Sequence, residues 1–259
     1  MNELEKNIVK WQSRASKRRE DGVFIVEGTR MFTEVPAARL QTIVVSEDLF
    51  MRYPEMEEEV RRKREASHAG LRTVKPDVFR KLSDTQTPQG ILAVVRITER
   101  TPEEVLSDGT GLYVILENLQ DPGNLGTILR SCEAAGASGV IMNTGCADIW
   151  NPKVVRATMG AIFRVPFTIV PDLRDTVRMI HERGGECHAA HLRGAVPYDV
   201  PDYRGMSAFM IGNEGEGLTP ELTALADRRI IIPMKGAVES LNAAMAATIL
   251  LFEAARQRQ

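Results

Sequence analysis

From Leu112 onward, the chain alternates short apolar runs with stretches that have the spacing of helices. The runs include "LYVILE", "GVIM", "ECHAAHL" and "SAFMIG". Strands that alternate with helices along a chain form a mostly parallel sheet. One of the helical stretches, "NPKVVRATMGAI", opens with Asn151 as the capping residue and Pro152 at the first helical position. This part of the sequence therefore predicts an α/β domain with a parallel sheet.

The first part of the chain predicts a separate and smaller α/β unit. It carries the strand-like runs "GVFIVEG", "TIVVS" and "GILAVVRI" between helical stretches. The polar stretch "ITERTPEEVLSDGTG" (Ile97–Gly111) is the best linker candidate, and Thr101 and Pro102 start a short helix within it. We therefore predict a first domain at residues 1–97, a linker at 98–110 and a second domain at 111–259.

Composition restricts the class of protein. Among 259 residues, 43% are hydrophobic and 26% are charged, which is typical of a globular chain. No apolar run approaches the roughly 20 residues of a spanning helix, and the N-terminus lacks the apolar core of a signal peptide. The three cysteines are too scattered for a disulfide framework. These features predict a reduced, cytoplasmic protein with no membrane segment.

Charge is distributed unevenly, although the net charge is only −2. The segment Lys6–Arg19 holds six Lys and Arg residues and no acid. Such a patch can neutralise the phosphates of a nucleic acid. The candidate RNA contacts are Lys10, Arg14, Lys17 and Arg18. A solvated helix face without a partner is the alternative interpretation of the same charges.

Several familiar functional motifs are absent from the sequence. There is no G-x-x-x-x-G-K-[ST] loop, and no G-x-G-x-x-G follows the first strand of the second domain. The stretch "CHAAH" (Cys187–His191) contains metal-ligand residue types, but it has the pattern of a strand, whose successive residues face opposite ways. We therefore predict no metal site, and no Ser-His-Asp arrangement stands out.

Two loops in the second domain carry unusual polar residues. In "NLQDPGNLGTILRSCEAAGA" (Asn118–Ala137), a loop leads into a helix that Asn124 can cap, with Arg130 one turn further and leaning back toward the helix start. In "IGNEGEGL" (Ile211–Leu218), a strand ends in a glycine turn that contains acids. A phosphate would be repelled there, so this turn is not a phosphate-binding loop.

The C-terminal stretch "IIIPMKGAVESLNAAMAATILLFEAARQR" (Ile230–Arg258) predicts a strand followed by a helix that begins near Ser240. The first turns of this helix, "AAMAATILLF", are apolar on nearly every face. A helix of this kind must be buried. The partner is either the rest of its own domain or a second subunit.

Taken together and in this order, the three stretches closely resemble the SpoU/TrmH family of RNA 2′-O-ribose methyltransferases, within the SPOUT superfamily. The resemblance covers about residues 110–258. The N-terminal "KWQSRASKRREDGVFIVEGTRMFTEV" is similar, less specifically, to the small α/β substrate-binding domain that often precedes this catalytic domain. The resemblance implies a SPOUT-type parallel sheet with a C-terminal trefoil knot, a homodimer, and S-adenosylmethionine as cofactor.

The resemblance also assigns residues to the cofactor. Its implied contacts are Gly212, Ile232 and Leu241, with Asn213 and Met234 lining the same pocket. Gly212 would let the backbone approach the cofactor. Since the cofactor is a cationic sulfonium, an acid nearby is tolerable.

A second set of residues is implied for catalysis: Arg130, Asn124, Glu214, Ser240 and Asn242. Asn124, Ser240 and Asn242 would position the ribose and its phosphate, and Glu214 would tie its loop to Arg130 or Asn124. The family account gives Arg130 the task of easing proton loss from the hydroxyl. Because a guanidinium stays protonated, we expect Arg130 to fix the RNA phosphate and stabilise developing charge.

The resemblance therefore predicts methyl transfer to a ribose 2′-hydroxyl of RNA, with ribosomal RNA favoured over tRNA. All the motif positions carry residues typical of the family, which argues against an inactive enzyme. Two alternatives stay open: a non-catalytic RNA-binding protein of the same fold, and a SPOUT enzyme that methylates a base nitrogen.

Overall fold

The computed structural model describes residues 2–238 and 240–259, which form two compact units. Unit 1 comprises residues 2–98 together with Asp148–Phe163, and unit 2 comprises Glu99–Ala147 and Arg164–Gln259. The stretch Asp148–Phe163 thus leaves unit 2 along the chain and packs within unit 1, an excursion that the sequence pattern did not indicate.

The helices and strands follow the predicted alternation. The helices are α1 (Glu3–Ser13), α2 (Ala15–Asp21), α3 (Thr29–Glu34), α4 (Leu49–Arg52), α5 (Glu55–Ser67), α6 (Pro76–Leu82), α7 (Pro102–Val105), α8 (Pro122–Ala135), α9 (Pro152–Ala157), α10 (Leu173–Glu182), α11 (Pro220–Thr223) and α12 (Ala243–Gln257). The strands are β1 (Val23–Glu27), β2 (Leu40–Ser46), β3 (Gly70–Val74), β4 (Ile91–Arg96), β5 (Leu112–Leu116), β6 (Gly139–Asn143), β7 (Phe167–Val170), β8 (Glu186–Ala190), β9 (Val196–Pro197), β10 (Ser207–Ile211) and β11 (Arg228–Ile231).

Unit 1 is built on a four-stranded sheet in the order β1-β4-β2-β3. Strand β4 runs antiparallel to both β1 and β2, and β2 runs parallel to β3. Ile8 and Trp11 of α1, with Phe79 and Leu82 of α6, pack into one core with the inward residues of the strands. The amphipathic pattern of α1 is therefore explained by burial on this sheet.

The stretch Asp148–Phe163 is held in unit 1 by an ion pair and by ring contacts. The guanidinium of Arg18 is 2% exposed and pairs with the carboxylate of Asp148. The ring of Trp150 lies 4.9 Å from that of Phe24, measured between centroids. A buried charge is tolerated only when it is paired, so this pair restricts where the stretch can pack.

Helix α9 begins as predicted and ends early. Asn151 caps it by accepting from the amide of Lys153, and Pro152 stands at its start. The predicted continuation to residue 162 is wrong, because Met159 and Gly160 adopt positive φ angles of 51° and 96°. A right-handed helix cannot continue through such angles.

Unit 2 is built on a seven-stranded sheet in which every pairing is parallel, in the order β7-β6-β5-β10-β8-β11-β9. The α/β fold class with a parallel sheet is therefore confirmed. The chain leaves β5 toward β6 on one side and later returns to the other side, so the strand order reverses between β5 and β10. In open parallel sheets, ligands bind outside the carboxyl ends of the strands at such a reversal.

Helix α12 differs from the prediction in its start and in its burial. It begins at Ala243, with Asn242 rather than Ser240 before it, because the Asn242 side chain accepts from the amides of Ala244 and Met245. One face is buried, whereas Met245 is 60% exposed and Phe252 is 49% exposed. The chain itself therefore covers only one face of this helix, and burial by its own domain alone does not account for the apolar residues on the other face.

None of the helices within residues 2–238 and 240–259 has both the length and the apolar character needed to cross a membrane.

Candidate functional site

A cavity of about 530 Å³ opens in unit 2 beyond the carboxyl ends of β8, β10 and β11. Four segments of the chain form its wall. The lining residues are Ala190–Arg193, Ile211–Leu218, residues 230–232 with Met234, and Ser240 and Leu241 together with Ala243, Ala246 and Leu250 of α12. All five residues assigned to a cofactor by resemblance line it, namely Gly212, Asn213, Ile232, Met234 and Leu241. Glu214 and Ser240 line it as well.

The loop after β10 is closed by Asn213. Its backbone amide donates to the carbonyl of Gly217 at 3.0 Å, and the Gly217 amide donates back at 2.9 Å. Its side-chain oxygen accepts from the amides of Gly215 and Glu216 at 2.9 and 3.1 Å. Its side-chain nitrogen donates to the carbonyl of Asn118 at 2.9 Å. Asn213 therefore holds the loop in one shape and ties it to the loop after β5.

The packing of its own loop requires a glycine at position 212. A Cβ atom at this position would lie 2.1 Å from the carbonyl carbon of Gly217 and 2.2 Å from the nitrogen of Leu218. No side chain fits there without moving the backbone. The glycine thus allows the two ends of the loop to touch.

Glu214 anchors this loop to the start of α8. Its carboxylate accepts from the amides of Gln120 and Asp121 at 3.0 and 2.9 Å, and from the side chain of Asn124 at 2.9 Å. Partial loss of water would raise the pKa of Glu214, but the hydrogen bonds from Asn124 and the two amides outweigh it and lower the pKa. The predicted tie to Asn124 is confirmed. No tie to Arg130 is present among the described residues.

Asn124 lies inside the first turn of α8 and does not cap it. The capping residue is Asp121, whose carboxylate accepts from the Asn124 amide at 2.8 Å, so the predicted cap is wrong. The Asn124 side-chain oxygen instead accepts from the side-chain nitrogen of Asn242 at 2.8 Å. Because Asn242 uses its oxygen to cap α12, its nitrogen is the group left to donate. We name the chain Asn242–Asn124–Glu214 the amide relay.

Arg130 is exposed, and its guanidinium has no hydrogen bond or ion pair to the described part of the chain. It lies eight residues after the first residue of α8, Pro122. That is more than two helical turns rather than the one expected. The side chain is therefore free to bind a partner from outside this chain.

A second layer of residues fixes the loop after β5. The amide of Asn118 donates to the side-chain oxygen of Asn143 at 2.9 Å, and the Asn143 side chain donates to that of Asn118 at 2.9 Å. The thiol of Cys146 lies 3.4 Å from the carbonyl of Leu116. Burial raises the pKa of Cys146 to about 11, so it stays protonated at neutral pH and is not a nucleophile.

Sequence reasoning missed the segment Ala190–Arg193 as a wall of the cavity. It interpreted this stretch only as the end of a strand. The available signal was position: these residues follow the carboxyl end of β8, which is a neighbour of β10 in the sheet, and ligands gather at that edge.

The predicted RNA contacts in unit 1 differ in their availability. Lys10 and Arg14 are exposed. Lys17 pairs with Glu20 and Asp21 at 3.2 and 2.9 Å.

Arg18 is not available to a phosphate. Besides its pairing with Asp148, its guanidinium donates to the carbonyls of Trp11 and Gln12. The prediction for this residue is wrong, because local positive charge in a sequence does not reveal a buried partner 130 residues away.

Only Cys187 of the "CHAAH" stretch belongs to a described cluster of residues that could bind a metal ion. The ligand atoms of Cys187, His181 and Asp227 lie within 4.8 Å of one another, whereas His188 and His191 are not in this group. The Asp227 carboxylate already accepts from the Cys187 amide at 2.7 Å and lies 2.9 Å from Nε2 of His181. Burial raises the pKa of the Cys187 thiol to about 12. Oδ2 of Asp227 is therefore already engaged by two neighbouring groups of the chain.

Two family models match the chain. The SpoU rRNA Methylase family matches residues 111–252, and the MRM3-like substrate binding domain matches residues 2–93. The first match spans more than half of the chain. The chain belongs to the SpoU rRNA methylase family.

Individual relatives agree with this assignment. This SpoU methylase is 35% identical over 176 residues to the 23S rRNA (guanosine(2553)-2′-O)-methyltransferase RlmP of Bacillus subtilis, with 68% of each chain covered. It is 35% identical over 238 residues to the mitochondrial rRNA methyltransferase 3 of Mus musculus, covering 71% of this chain but only 56% of the mouse protein. The AdoMet-bound rRNA methyltransferase from Sinorhizobium meliloti matches with a TM-score of 0.88 at 31% identity, covering 100% of this chain and 96% of that one.

Proposed function

We propose that this SpoU methylase transfers the methyl group of S-adenosylmethionine to a ribose 2′-hydroxyl of ribosomal RNA. The observation that carries the proposal is one cavity that gathers the loop after β10, the segment after β11 and the start of α12. The amide relay joins this cavity to α8, which presents the unpaired Arg130. Named relatives that methylate rRNA support the choice of substrate.

The cavity suits S-adenosylmethionine in size and in chemistry. Its volume of about 530 Å³ lies within the roughly 300–1,000 Å³ of small-molecule sites. Leu218, Ile230 and Leu250 supply apolar surface for a planar base. Glu214 and Glu216 are acidic and therefore favour a cation. The bound cofactor supplies an activated methyl group on a positively charged sulfur.

The remaining task of the protein is to position the ribose. The amide relay fixes Asn242 and Asn124 at the start of α12 and α8. Ser240 is exposed on the cavity wall, where its hydroxyl can reach the ribose or its phosphate. The guanidinium of Arg130 offers only donors and no acceptor, so it cannot take up the proton of the hydroxyl. It instead binds a phosphate and stabilises negative charge on the attacking oxygen.

We propose that unit 1 binds the RNA through Lys10, Arg14 and Lys17. The match of residues 2–93 to a substrate-binding domain supports this role. We also propose that the RNA-binding domain ends at residue 97, that the linker ends at residue 110, and that the C-terminal segment forms a trefoil knot. In a bacterium rRNA is located in the cytoplasm, so we propose that the enzyme is cytoplasmic.

We further propose a homodimer, supported by the exposed apolar face of α12. Met245 and Phe252 are seven residues apart and so lie on one side of the helix. Met245→Glu with Phe252→Glu should convert a dimer to a monomer in light scattering at micromolar concentration. Met51→Glu, at an apolar position of unit 1 that is 81% exposed, is the control. A wild-type monomer with full activity would exclude the dimer.

The function is tested by incubating the protein with methyl-labelled S-adenosylmethionine and rRNA from a strain that lacks the gene. The RNA is then digested and its nucleosides are identified by mass spectrometry. A labelled 2′-O-methyl nucleoside is expected. A labelled base would support the base-methylating alternative, and RNA binding without transfer would support the non-catalytic one.

A further inference from the structure

The cavity carries more charge than an adenosine alone would require. Four of its described lining residues have ionisable side chains: His191, Arg193, Glu214 and Glu216. Glu214 is committed to the amide relay and to two backbone amides. The side chains of Arg193 and Glu216 are exposed and make no hydrogen bond or ion pair with the described part of the chain. One cation and one anion are therefore free at the same cavity.

Both residues stand on backbone that is fixed to the sheet. The amide of His191 donates to the carbonyl of Ile230 at 3.0 Å, and its ring nitrogen Nδ1 accepts from the Arg193 amide at 3.0 Å. The amide of Glu216 donates to the side-chain oxygen of Asn213 at 3.1 Å. Strands β8 and β10, which precede the two loops, are neighbours in the sheet. Parallel neighbours lie about 4.8 Å apart, so the two loops leave the same edge side by side.

We propose that Arg193 and Glu216 bind the amino-acid end of S-adenosylmethionine. Arg193 takes the α-carboxylate and Glu216 takes the α-ammonium. The inference rests on the proposed function, because it requires this cavity to be the cofactor site. A guanidinium matches a carboxylate with two parallel hydrogen bonds. The exposed position of both side chains places the zwitterionic end at the mouth, with the apolar residues Ile230 and Leu250 left for the adenine.

Charge balance supports the same arrangement. Arg193 and the two acids give the cavity a formal charge of −1. S-adenosylmethionine carries a sulfonium, an ammonium and a carboxylate, so its net charge is positive. The product lacks the sulfonium charge and is neutral overall. The cavity therefore attracts the methyl donor more strongly than the demethylated product, which assists product release.

Two ligands separate this role from general damage to the cavity. S-adenosylmethionine has the amino-acid end, and 5′-methylthioadenosine has the same nucleoside without it. Calorimetric titration of Arg193→Ala and of Glu216→Gln should show about tenfold weaker binding of S-adenosylmethionine, equivalent to about 1.4 kcal/mol. Binding of 5′-methylthioadenosine should change less than about twofold. Charge-assisted hydrogen bonds at an exposed rim justify this modest magnitude.

Matched variants outside the cavity provide the controls. Arg229→Ala removes a cation of β11 near Gly194, and Glu221→Gln removes an acid of α11. Neither residue lines the cavity, so neither ligand should bind differently. Unchanged S-adenosylmethionine affinity in Arg193→Ala and Glu216→Gln would overturn the inference. An equal loss for both ligands would overturn it as well.

One further variant distinguishes failure of the inference from failure of the proposed function. Ala246 lines the cavity from α12, and Ala246→Trp should fill it and abolish binding of both ligands. Circular dichroism confirms that this variant is folded. If a folded Ala246→Trp protein still binds S-adenosylmethionine normally, the cavity is not the cofactor site and both assignments fail. If it loses binding while the rim variants retain it, only the inference fails.

Discussion

The two units differ in the sign of their charge. Unit 1 contains 20 Lys and Arg residues against 16 Asp and Glu, a formal charge of +4. Unit 2 contains 13 against 19, a formal charge of −6. The small net charge of the whole chain is therefore the sum of a basic unit and an acidic unit. A polyanion such as RNA is attracted to the first, whereas a cationic methyl donor is attracted to the second.

The units also use their polar groups differently. In unit 1, the buried pairing of Arg18 with Asp148 holds a stretch of chain in place and is not accessible to a ligand. In unit 2, the amide relay connects the loop after β10 and the start of α12, which line an open cavity, to the first turn of α8. Polar groups thus serve stability in the first case and positioning in the second. Variants should separate these two roles.

The largest effect is expected in unit 1. Asp148→Ala leaves the 2% exposed Arg18 guanidinium without its carboxylate, which should lower the free energy of unfolding by about 3–5 kcal/mol. Urea denaturation measures the change. The control is Asp84→Ala, which breaks a pair with Arg156 whose side chains are 42% and 32% exposed; about 0–1 kcal/mol is expected. Equal effects in the two variants would contradict a special role for the buried pair.

The next effect concerns chemistry in unit 2. Under the proposed function, Arg130→Ala should slow methyl transfer by roughly 10²–10³, because the variant removes one cationic donor to the reacting oxygen or phosphate. Binding of S-adenosylmethionine should stay close to wild type, since Arg130 does not line the cavity. Single-turnover transfer and calorimetric titration measure the two quantities.

Arg130→Lys should restore little of the rate, because an ammonium lacks the planar fork of the guanidinium. Wild-type turnover in the Ala variant would remove Arg130 from the mechanism. A loss of cofactor binding would show instead that it supports the cavity.

A smaller effect is expected from acidification at Glu214. Its folded pKa is lower than its ordinary value of 4.5, so the carboxylate stabilises the fold above that value. This contribution is lost as the pH falls through the folded pKa. Glu214→Gln should therefore be less stable than wild type at neutral pH, by about 1 kcal/mol for an exposed carboxylate. The difference should shrink below about pH 4.5.

Thermal unfolding at several pH values measures this convergence. Glu216→Gln removes a carboxylate from the same loop without touching the bonds to Gln120, Asp121 and Asn124, and serves as the control. A gap between wild type and Glu214→Gln that is independent of pH would contradict the linkage.

The smallest effect per residue is expected on RNA affinity. If Lys10 and Arg14 each neutralise one phosphate, Lys10→Ala and Arg14→Ala should each reduce the slope of log affinity against log salt by up to about 0.9 on duplex RNA. Filter binding at several salt concentrations measures the slope. Arg204→Ala, which removes an exposed cation of unit 2, should leave it unchanged. An unaltered slope in both unit 1 variants would assign the segment to a solvated helix face.

Sequence reasoning succeeded where function depends on the local backbone. The loop "IGNEGEGL" was assigned to one pocket with Ile232, Met234 and Leu241, and these residues do line one cavity. Most strands of both sheets were also expected, because alternating apolar runs report burial directly. The edge strands β3 (Gly70–Val74) and β9 (Val196–Pro197) were not predicted. Family resemblance was needed to connect these stretches, since nothing in their spacing shows that they meet.

The errors concern contacts between residues distant in sequence. Asn124 is of a residue type that often caps helices, but Asp121 lies where the chain turns into the helix and caps it. The Asn124 side chain instead forms hydrogen bonds with Glu214 and Asn242. Arg18 sits in a basic segment, yet its partner is contributed by a distant loop. Such pairings depend on the fold as a whole, and no local pattern of charge or capping reports them.

The excursion of Asp148–Phe163 into unit 1 affects how this protein could be taken apart or recombined. The chain passes between the two units three times: after Thr98, after Ala147 and after Phe163. A fragment that stops at residue 98 would lack the carboxylate that pairs with Arg18 and the ring that packs on Phe24. Exchange of the N-terminal portion with that of a relative would therefore require the internal stretch to be exchanged with it. Unit 1 is therefore not a detachable N-terminal module, because residues 148–163, which lie between the two segments of unit 2 in the sequence, complete it.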